Sequence, residues 1–187
     1  ANSGWGNDNT LTVIDVATFD SIASITVEWN PQQIVVSGDS VYLLANGQYD
    51  EEWRCPYYVQ SIDVESRTAR TIANATHAVA YDGTLYLCYS ATDWTTYETV
   101  NTFFTYDVAT ATLSNQSFLK GDTVEIATNS VYMMEVNPKN GELYIGLAGN
   151  KFVSSGVIHR FEKDGTPIHR FDVQGPNPNQ AAFVNYQ

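Results

Sequence analysis

The sequence has few basic residues, with nine Lys and Arg against 21 Asp and Glu and a formal net charge of −12. Such a charge repels a phosphate backbone, because nucleic-acid binding depends on cations that release condensed counterions. Only three histidines are present, and Walker, Rossmann and HExxH motifs are absent. These absences exclude nucleic acid as an expected partner and leave little support for nucleotide or zinc-hydrolase chemistry.

Long apolar runs are also missing, since none approaches the ~20 residues that a membrane helix requires. The first residues lack the basic and apolar regions of a signal peptide, so we expect any export signal to lie upstream. No convincing amphipathic helix is evident, whereas 12 Tyr and 13% aromatic residues favour strands. Cys55 and Cys88 lack metal-ligand spacing, and their pairing stays open. No metal site is predicted.

The recurring feature of the chain is a strand, a tight polar turn and a second strand. Four such segments begin at Thr12, Gln60, Phe104 and His159. The acidic residues at their turns are Asp15, Asp63, Asp107 and Glu162. These residues lie 48, 44 and 55 positions apart, a period typical of propeller blades.

Two further strands precede each of the later hairpins and meet at Gly38, Gly83 or Gly141. The sequence therefore predicts an all-β chain, a β-propeller of four-stranded antiparallel blades with strands a to d from the axis outward. Residues 1–187 form one propeller region in this prediction, with three complete blades at about residues 32–173. Residues 1–4 are expected to end a strand b, and the final "NQAAFVNYQ" to form a strand a.

This division predicts the carboxy-terminal part of a seven-bladed or similar propeller. The alternative is a closed four-bladed ring, whose seam would lack one strand and leave backbone groups unpaired. In either case the b-to-c and d-to-a connections lie at one end of each blade, here named the loop-rich face.

All four tryptophans fall in connections on the loop-rich face, which suggests a recognition surface. Trp29, in a short link, is expected to pack between blades instead. The predicted ligand-binding residues are Trp5, Tyr49, Asp50, Trp53, Asp93, Trp94 and Tyr97. Aromatic caps on the blades and a solvated acidic rim are the structural alternatives. No nucleophile, base and orienting acid are predicted to converge, so no catalytic residue is expected.

The order "ANSGWGNDNTLTVIDVATF", "NPQQIVVSGDSVYLL", "MMEVNPKNGELYIGLAG" and "GPNPNQAAFVN" resembles the later blades of YncE-like or surface-layer seven-bladed propellers of gut anaerobes. Some members of that family are lipoproteins that capture cobalamin beside an outer-membrane transporter. The resemblance implies an exported, non-enzymatic binding protein at the cell surface, held at the membrane only through an upstream lipid anchor. It implies no residue-level ligand contacts.

The first functional hypothesis is capture of a small molecule by the loop-rich face, with a corrinoid as the first ligand and a glycan as the second. An outer-membrane transporter is then a candidate partner, and no cofactor is expected. The alternative is a scaffold propeller that binds another protein through the same face. A metal-dependent hydrolase of the propeller lactonase type is disfavoured, because "QQIVV", "HAVAY" and "QAAFV" offer few carboxylates.

Overall fold

The computed structural model describes residues 1–2, 7–51 and 54–184, which form fourteen strands and one α-helix of five residues. The strands are β1 (Thr10–Ile14), β2 (Ser21–Thr26), β3 (Pro31–Ser37), β4 (Ser40–Ala45), β5 (Tyr58–Asp63), β6 (Thr68–Ala73), β7 (His77–Tyr81), β8 (Thr84–Thr92), β9 (Thr99–Asp107), β10 (Thr112–Ser114), β11 (Val131–Val136), β12 (Leu143–Leu147), β13 (Val157–Phe161) and β14 (Pro167–Asp172). The helix α1 (Val124–Thr128) precedes β11.

The strands form one two-stranded sheet, β1–β2, and three four-stranded sheets, β3–β6, β7–β10 and β11–β14. In each four-stranded sheet, chain order and spatial order coincide, and every recorded pairing is antiparallel. The predicted all-β class with four-stranded antiparallel units is confirmed. Because successive strands reverse direction, alternate connections emerge at opposite ends of each sheet.

The chain divides into two compact units, Ala1–Ala78 and Val79–Gln187. In the first unit, Leu11 and Ile25 of the two-stranded sheet pack with Leu43 and Ile62. In the second, a larger core joins side chains of β8, β9, β11, β12 and β13 with Ile126 of α1. The assignment of residues 1–187 to one propeller region stays a prediction.

Burial follows the position of each strand in its sheet. The second strands, β4, β8 and β12, each contain four buried residues, as expected for strands covered on both faces. The last strands, β6, β10 and β14, are largely exposed and carry Thr, Arg, His and Asp side chains. Such polar edge strands discourage pairing with other chains.

The four predicted hairpins are present as β1–β2, β5–β6, β9–β10 and β13–β14. Asp15, Asp63 and Asp107 each accept backbone N–H hydrogen bonds from within their own turns. These donors lower the pKa of all three carboxyl groups, because they stabilise the charged form. In the fourth turn, this acceptor is Asp164, which binds Thr166 N, and not Glu162, the residue that aligns with the three aspartates in the repeat.

The three predicted glycine turns are also present, with positive φ angles of 58° at Gly38, 75° at Gly83 and 78° at Gly141. A Cβ atom at Gly141 would also come within 2.5 Å of the Tyr81 ring. Both the backbone angle and the lack of space therefore require glycine at position 141.

Three details differ from the sequence prediction. Helix α1 was not predicted, because five residues are too few to produce a helical periodicity. Strand β10 ends at Ser114, earlier than expected. Residues 180–184 form no strand; instead Phe183 packs on Tyr144, with ring centroids 5.1 Å apart. Without a neighbouring strand, the backbone N–H and C=O groups of this segment cannot form the hydrogen bonds of a sheet.

Asn2 forms an isolated antiparallel bridge with Thr10, and residues 3–6 lie outside the described ranges. No helix of the described chain combines the length and the apolar composition needed to cross a membrane.

Candidate functional site

Strands β8 and β9 form a long hairpin whose tip carries three of the predicted ligand-binding residues. The strands pair over nine positions, from Thr84 with Asp107 to Thr92 with Thr99. The sequence "ATDWTTYETV" from Ala91 predicts a long connection here, but its Thr- and Val-rich flanks instead continue the ladder as far as the Thr92–Thr99 pair. Only residues 93–98, here named the 93–98 turn, connect the two strands.

The 93–98 turn has the same design as the turns that follow Asp15, Asp63 and Asp107. Asp93 Oδ1 accepts hydrogen bonds from Thr95 N at 2.7 Å and Thr96 N at 3.1 Å, and these donors lower the pKa of the carboxyl group. Tyr97 has a φ of 62°, equal to that of Phe19 in the β1–β2 turn. The sequence "DWTTYE" thus repeats the geometry of "DVATFD" and presents Trp94 and Tyr97 at the hairpin tip.

A second loop, residues 149–155, follows β12 in the next sheet of the same unit. Lys151 and Phe152 both have positive φ angles, 48° and 61°, which are unfavourable for residues with a Cβ atom. Hydrogen bonds from Phe152 N to Gly149 O (2.8 Å) and from Asn150 N to Ser154 Oγ (2.7 Å) hold this conformation. A Cβ atom at Gly149 would overlap the Ser154 carbonyl, so the loop requires glycine there.

The two loops meet through aromatic side chains. The Trp94 and Phe152 rings lie 5.2 Å apart between centroids with planes inclined by 30°, and Tyr132 lies 6.2 Å from Phe152. Lys151 Nζ lies 5.7 Å from the centroid of Tyr97. Trp94 is 69% exposed and Tyr97 is 47% exposed. Their free ring surfaces are therefore accessible to a ligand.

Beside these rings is an open cavity of about 200 Å³, here named the aromatic cleft. Its lining residues are Thr96, Tyr97, Thr99, Thr128, Asn129, Ser130, Ala148, Gly149, Asn150, Lys151 and Phe152. Trp94 adjoins the cleft through Phe152. The lining also includes hydroxyl and amide side chains of Thr, Ser and Asn residues, which can donate and accept hydrogen bonds. Two of them are fixed by internal hydrogen bonds, Thr99 Oγ1 with Thr92 Oγ1 and Asn129 Nδ2 with Glu125 O. The aromatic cleft thus combines apolar rings with polar groups suited to a hydroxyl-rich molecule.

Helix α1 positions one side of the aromatic cleft. Asn101 Nδ2 donates hydrogen bonds to Ile126 O and Asn129 O, both at 2.6 Å, and so holds the carboxyl end of α1 against β9. At the other end, Glu125 accepts hydrogen bonds from Arg170 and contacts His159 Nε2 at 2.9 Å. These contacts fix the segment that delivers Thr128 and Asn129.

Burial lowers the pKa of His159, and Glu125 opposes that change. Arg170 and His159 lower the pKa of Glu125, because both stabilise its charged form. Among the residues that the structure describes, no group of three or more His, Cys, Asp or Glu side chains is arranged to hold a metal ion. Cys55 and Cys88 are both present as thiols, and burial raises the pKa of each.

The predicted ligand-binding residues fall into three groups. Trp5 and Trp53 lie outside the described residues. Tyr49, which is 48% exposed, and Asp50 belong to the first unit, where Asp50 forms an ion pair with Arg54 at 3.0 Å. Asp93, Trp94 and Tyr97 come together in the second unit, although Asp93 shapes the 93–98 turn and does not line the aromatic cleft.

Trp29 is half-buried, as expected for a packing residue. Sequence reasoning missed Tyr132, Lys151 and Phe152. For Lys151 and Phe152, the available signal was the polar connection "GNKFVSS" with its single aromatic residue, at the same end of its sheet as the 93–98 turn. Tyr132 lies within strand β11 and had no comparable signal.

No protein-family model and no curated protein matches the chain. Among solved structures, the hydrazine synthase of Kuenenia stuttgartiensis is similar, with a TM-score of 0.64 and 14% sequence identity. The alignment covers 88% of this chain and 43% of that chain, so this chain spans less than half the length of that relative. At this identity, the likeness concerns the fold alone.

Proposed function

We propose that the chain is part of a cell-surface β-propeller that binds a glycan, without catalysis, in the aromatic cleft. The observation that carries this proposal is the pairing of Trp94 and Phe152 beside a cleft lined by Tyr97 and by hydroxyl and amide groups. A sugar ring has an apolar C–H face and a rim of hydroxyl groups. Aromatic rings suit the face, and Thr, Ser and Asn side chains suit the rim.

The volume of the cleft favours a glycan over a corrinoid. At about 200 Å³, the cleft is smaller than the ~300–1,000 Å³ of pockets that enclose drug-sized ligands. One sugar ring of an oligosaccharide suits such a space, and the open mouth leaves room for its neighbours outside. A corrinoid macrocycle would contact only the rim, so we rank the glycan first for this site.

The propeller and its location are parts of the same proposal. Three successive antiparallel four-stranded sheets and the 44–55 residue repeat support a propeller of seven or a similar number of blades. The resemblance to YncE-like surface-layer propellers supports an exported protein with an upstream lipid anchor. An outer-membrane transporter is a reasonable partner if the captured molecule is then imported.

The test is calorimetric titration of the protein with a panel of oligosaccharides and, separately, with cobalamin. We expect saturable binding of at least one oligosaccharide and a loss of about tenfold in affinity for Trp94→Ala, the size expected when one stacked aromatic ring is removed. The matched control is Phe19→Ala, which removes an exposed aromatic ring from the equivalent turn of the first unit. Absence of glycan binding, or equal losses in both variants, would overturn the proposal.

A further inference from the structure

Lys151 carries the only positive charge among the residues that line the aromatic cleft. Elsewhere in the described chain, Arg54, Lys120, Arg160 and Arg170 form ion pairs with carboxylates. Within that same part of the chain, the other five basic residues have no carboxylate at ion-pair distance: Arg67, Arg70, Lys139, Lys151 and Lys163. Lys151 is the one of these that lines the aromatic cleft, where its ammonium group lies over the Tyr97 ring. In a protein with 21 acidic and nine basic residues, a cation without an acidic partner at a binding cleft is available for a ligand.

The backbone holds Lys151 in this position. Lys151 and Phe152 adopt successive left-handed conformations, which persist only where the surrounding structure enforces them. Here the enforcing contacts are Gly149 N to Pro176 O at 2.7 Å and Asn150 N to Ser154 Oγ at 2.7 Å. The ammonium group is therefore presented beside the aromatic rings by a constrained loop rather than by a freely rotating surface segment.

Within the described residues, neither carboxylate of the opposing turn, Asp93 or Glu98, forms an ion pair with Lys151. Asp93 directs Oδ1 into its own turn, toward Thr95 N and Thr96 N. The net charge of −12 disfavours anions at long range, but salt screens that repulsion beyond about 8–10 Å. At contact distance, the ammonium group of Lys151 dominates the interaction with a ligand anion.

We infer that the aromatic cleft selects sugars that carry a carboxylate, with Lys151 pairing with that carboxylate while the aromatic side chains contact the sugar ring. The inference rests on the proposed glycan-binding function of the same cleft. In a uronic acid the carboxylate is bonded directly to the sugar ring. A ring that packs on Phe152 would therefore place its carboxylate near the neighbouring residue, Lys151. A neutral sugar forms the same ring contacts but leaves the ammonium group without a partner.

The experiment compares matched oligosaccharide pairs by calorimetry: oligogalacturonate with its methyl ester, and glucuronate and mannuronate oligomers with glucose and mannose oligomers. We expect at least one acidic member to bind about fivefold more tightly than its neutral counterpart, the ratio expected of one exposed ion pair. Raising the salt concentration should weaken the acidic member selectively.

Two variants test whether Lys151 is the source of the preference. Lys151→Met should reduce the acidic-to-neutral ratio to about one, and Lys151→Arg should retain a preference for the acid. Lys139→Met is the control, because it makes the same change of net charge on an exposed turn beyond the far end of β11. It should leave the ratio unchanged.

The outcomes separate this inference from the proposed function. Equal binding of acidic and neutral members, or a preference that survives in Lys151→Met, would overturn the inference and leave glycan binding intact. Absence of binding by every member of the panel would overturn both.

Discussion

The indole ring of Trp94 packs on the phenyl ring of Phe152, with centroids 5.2 Å apart. Trp94 belongs to the 93–98 turn of one sheet and Phe152 to the 149–155 loop of the next, so this contact links two sheets of the same unit. The contact therefore has two consequences. It stabilises the loops against each other, and it fixes one wall of the aromatic cleft.

A double-mutant cycle on this pair should reveal a coupling of about 0.5–1.5 kcal/mol in the free energy of unfolding, the usual value for an aromatic pair. The variants are Trp94→Ala, Phe152→Ala and the double variant, measured by chemical denaturation. Val153→Ala replaces Phe152→Ala in the control cycle, since Val153 is an exposed neighbour in the same loop. If the losses in the free energy of unfolding for Trp94→Ala and Phe152→Ala simply add up in the double variant, the two rings do not interact in solution.

Substitutions of Asp93 test whether its side chain stabilises the 93–98 turn or contacts the ligand. Asn at this position keeps an oxygen acceptor for Thr95 N and Thr96 N, whereas Ala removes it. We expect Asp93→Asn to keep the glycan affinity within about twofold and Asp93→Ala to weaken it further, because the 93–98 turn loses its internal hydrogen bonds. Calorimetric titration of both variants decides between the two roles. A strong loss in Asp93→Asn would instead assign the charge to ligand binding, as first predicted from the sequence.

Asn101 provides a third test, because it supports the aromatic cleft without lining it. Its amide donates to Ile126 O and Asn129 O, and loss of these bonds in Asn101→Ala should reduce the free energy of unfolding by about 1–3 kcal/mol. Since Thr128 and Asn129 depend on this anchor, glycan affinity should fall as well. Thr102→Ala, at the exposed neighbouring position, should change neither quantity. If stability falls while affinity is retained, Asn101 does not position the binding residues.

The sequence predicted the four-stranded antiparallel sheets and their hairpin turns well, because most strands and turns carry a local signal, whereas the propeller stays a prediction. Asp15, Asp63 and Asp107 mark hairpin turns through side-chain hydrogen bonds to the next few backbone N–H groups, and this chemistry needs no long-range information. Gly38 and Gly83 mark turns in the same way through positive φ angles. Residues 180–184 were predicted incorrectly as a strand, because strand formation also depends on a partner that the local pattern cannot supply.

The candidate site was only partly predictable for a related reason. Trp94 and Tyr97 stand out as large aromatic residues in a polar connection, so composition alone indicated them. Phe152, Lys151 and Tyr132 lie more than 30 positions further along the chain, and only the packing of successive sheets brings them to the same cleft. Asp93 stabilises the 93–98 turn through its side chain, and the ligand contact that its charge suggested stays a prediction.

The ion pair between Glu142 and Arg160 leads to a prediction about pH. Glu142 is 8% exposed and accepts two hydrogen bonds from the guanidinium group, at 2.9 and 2.6 Å. Arg160 lowers the pKa of this carboxyl from the ordinary value of 4.5, so the unfolded chain binds a proton at a pH where the folded chain does not. The pair therefore contributes stability above about pH 4.5, and this contribution is lost as the pH falls toward the folded-state pKa.

Arg160→Met should reduce the free energy of unfolding by about 2 kcal/mol at pH 7, because it leaves a largely buried carboxylate without its cation. The loss should be smaller below pH 4.5, where protonation removes the charge. Glu142→Gln should flatten the acid side of the stability profile, measured as the midpoint of thermal unfolding between pH 7 and pH 3. Glu162→Gln, which removes an exposed carboxylate near the same strand, should leave the profile close to that of the original protein. An acid profile unchanged by Glu142→Gln would mean that other carboxylates, and not the pair formed by Glu142 and Arg160, govern the loss of stability at low pH.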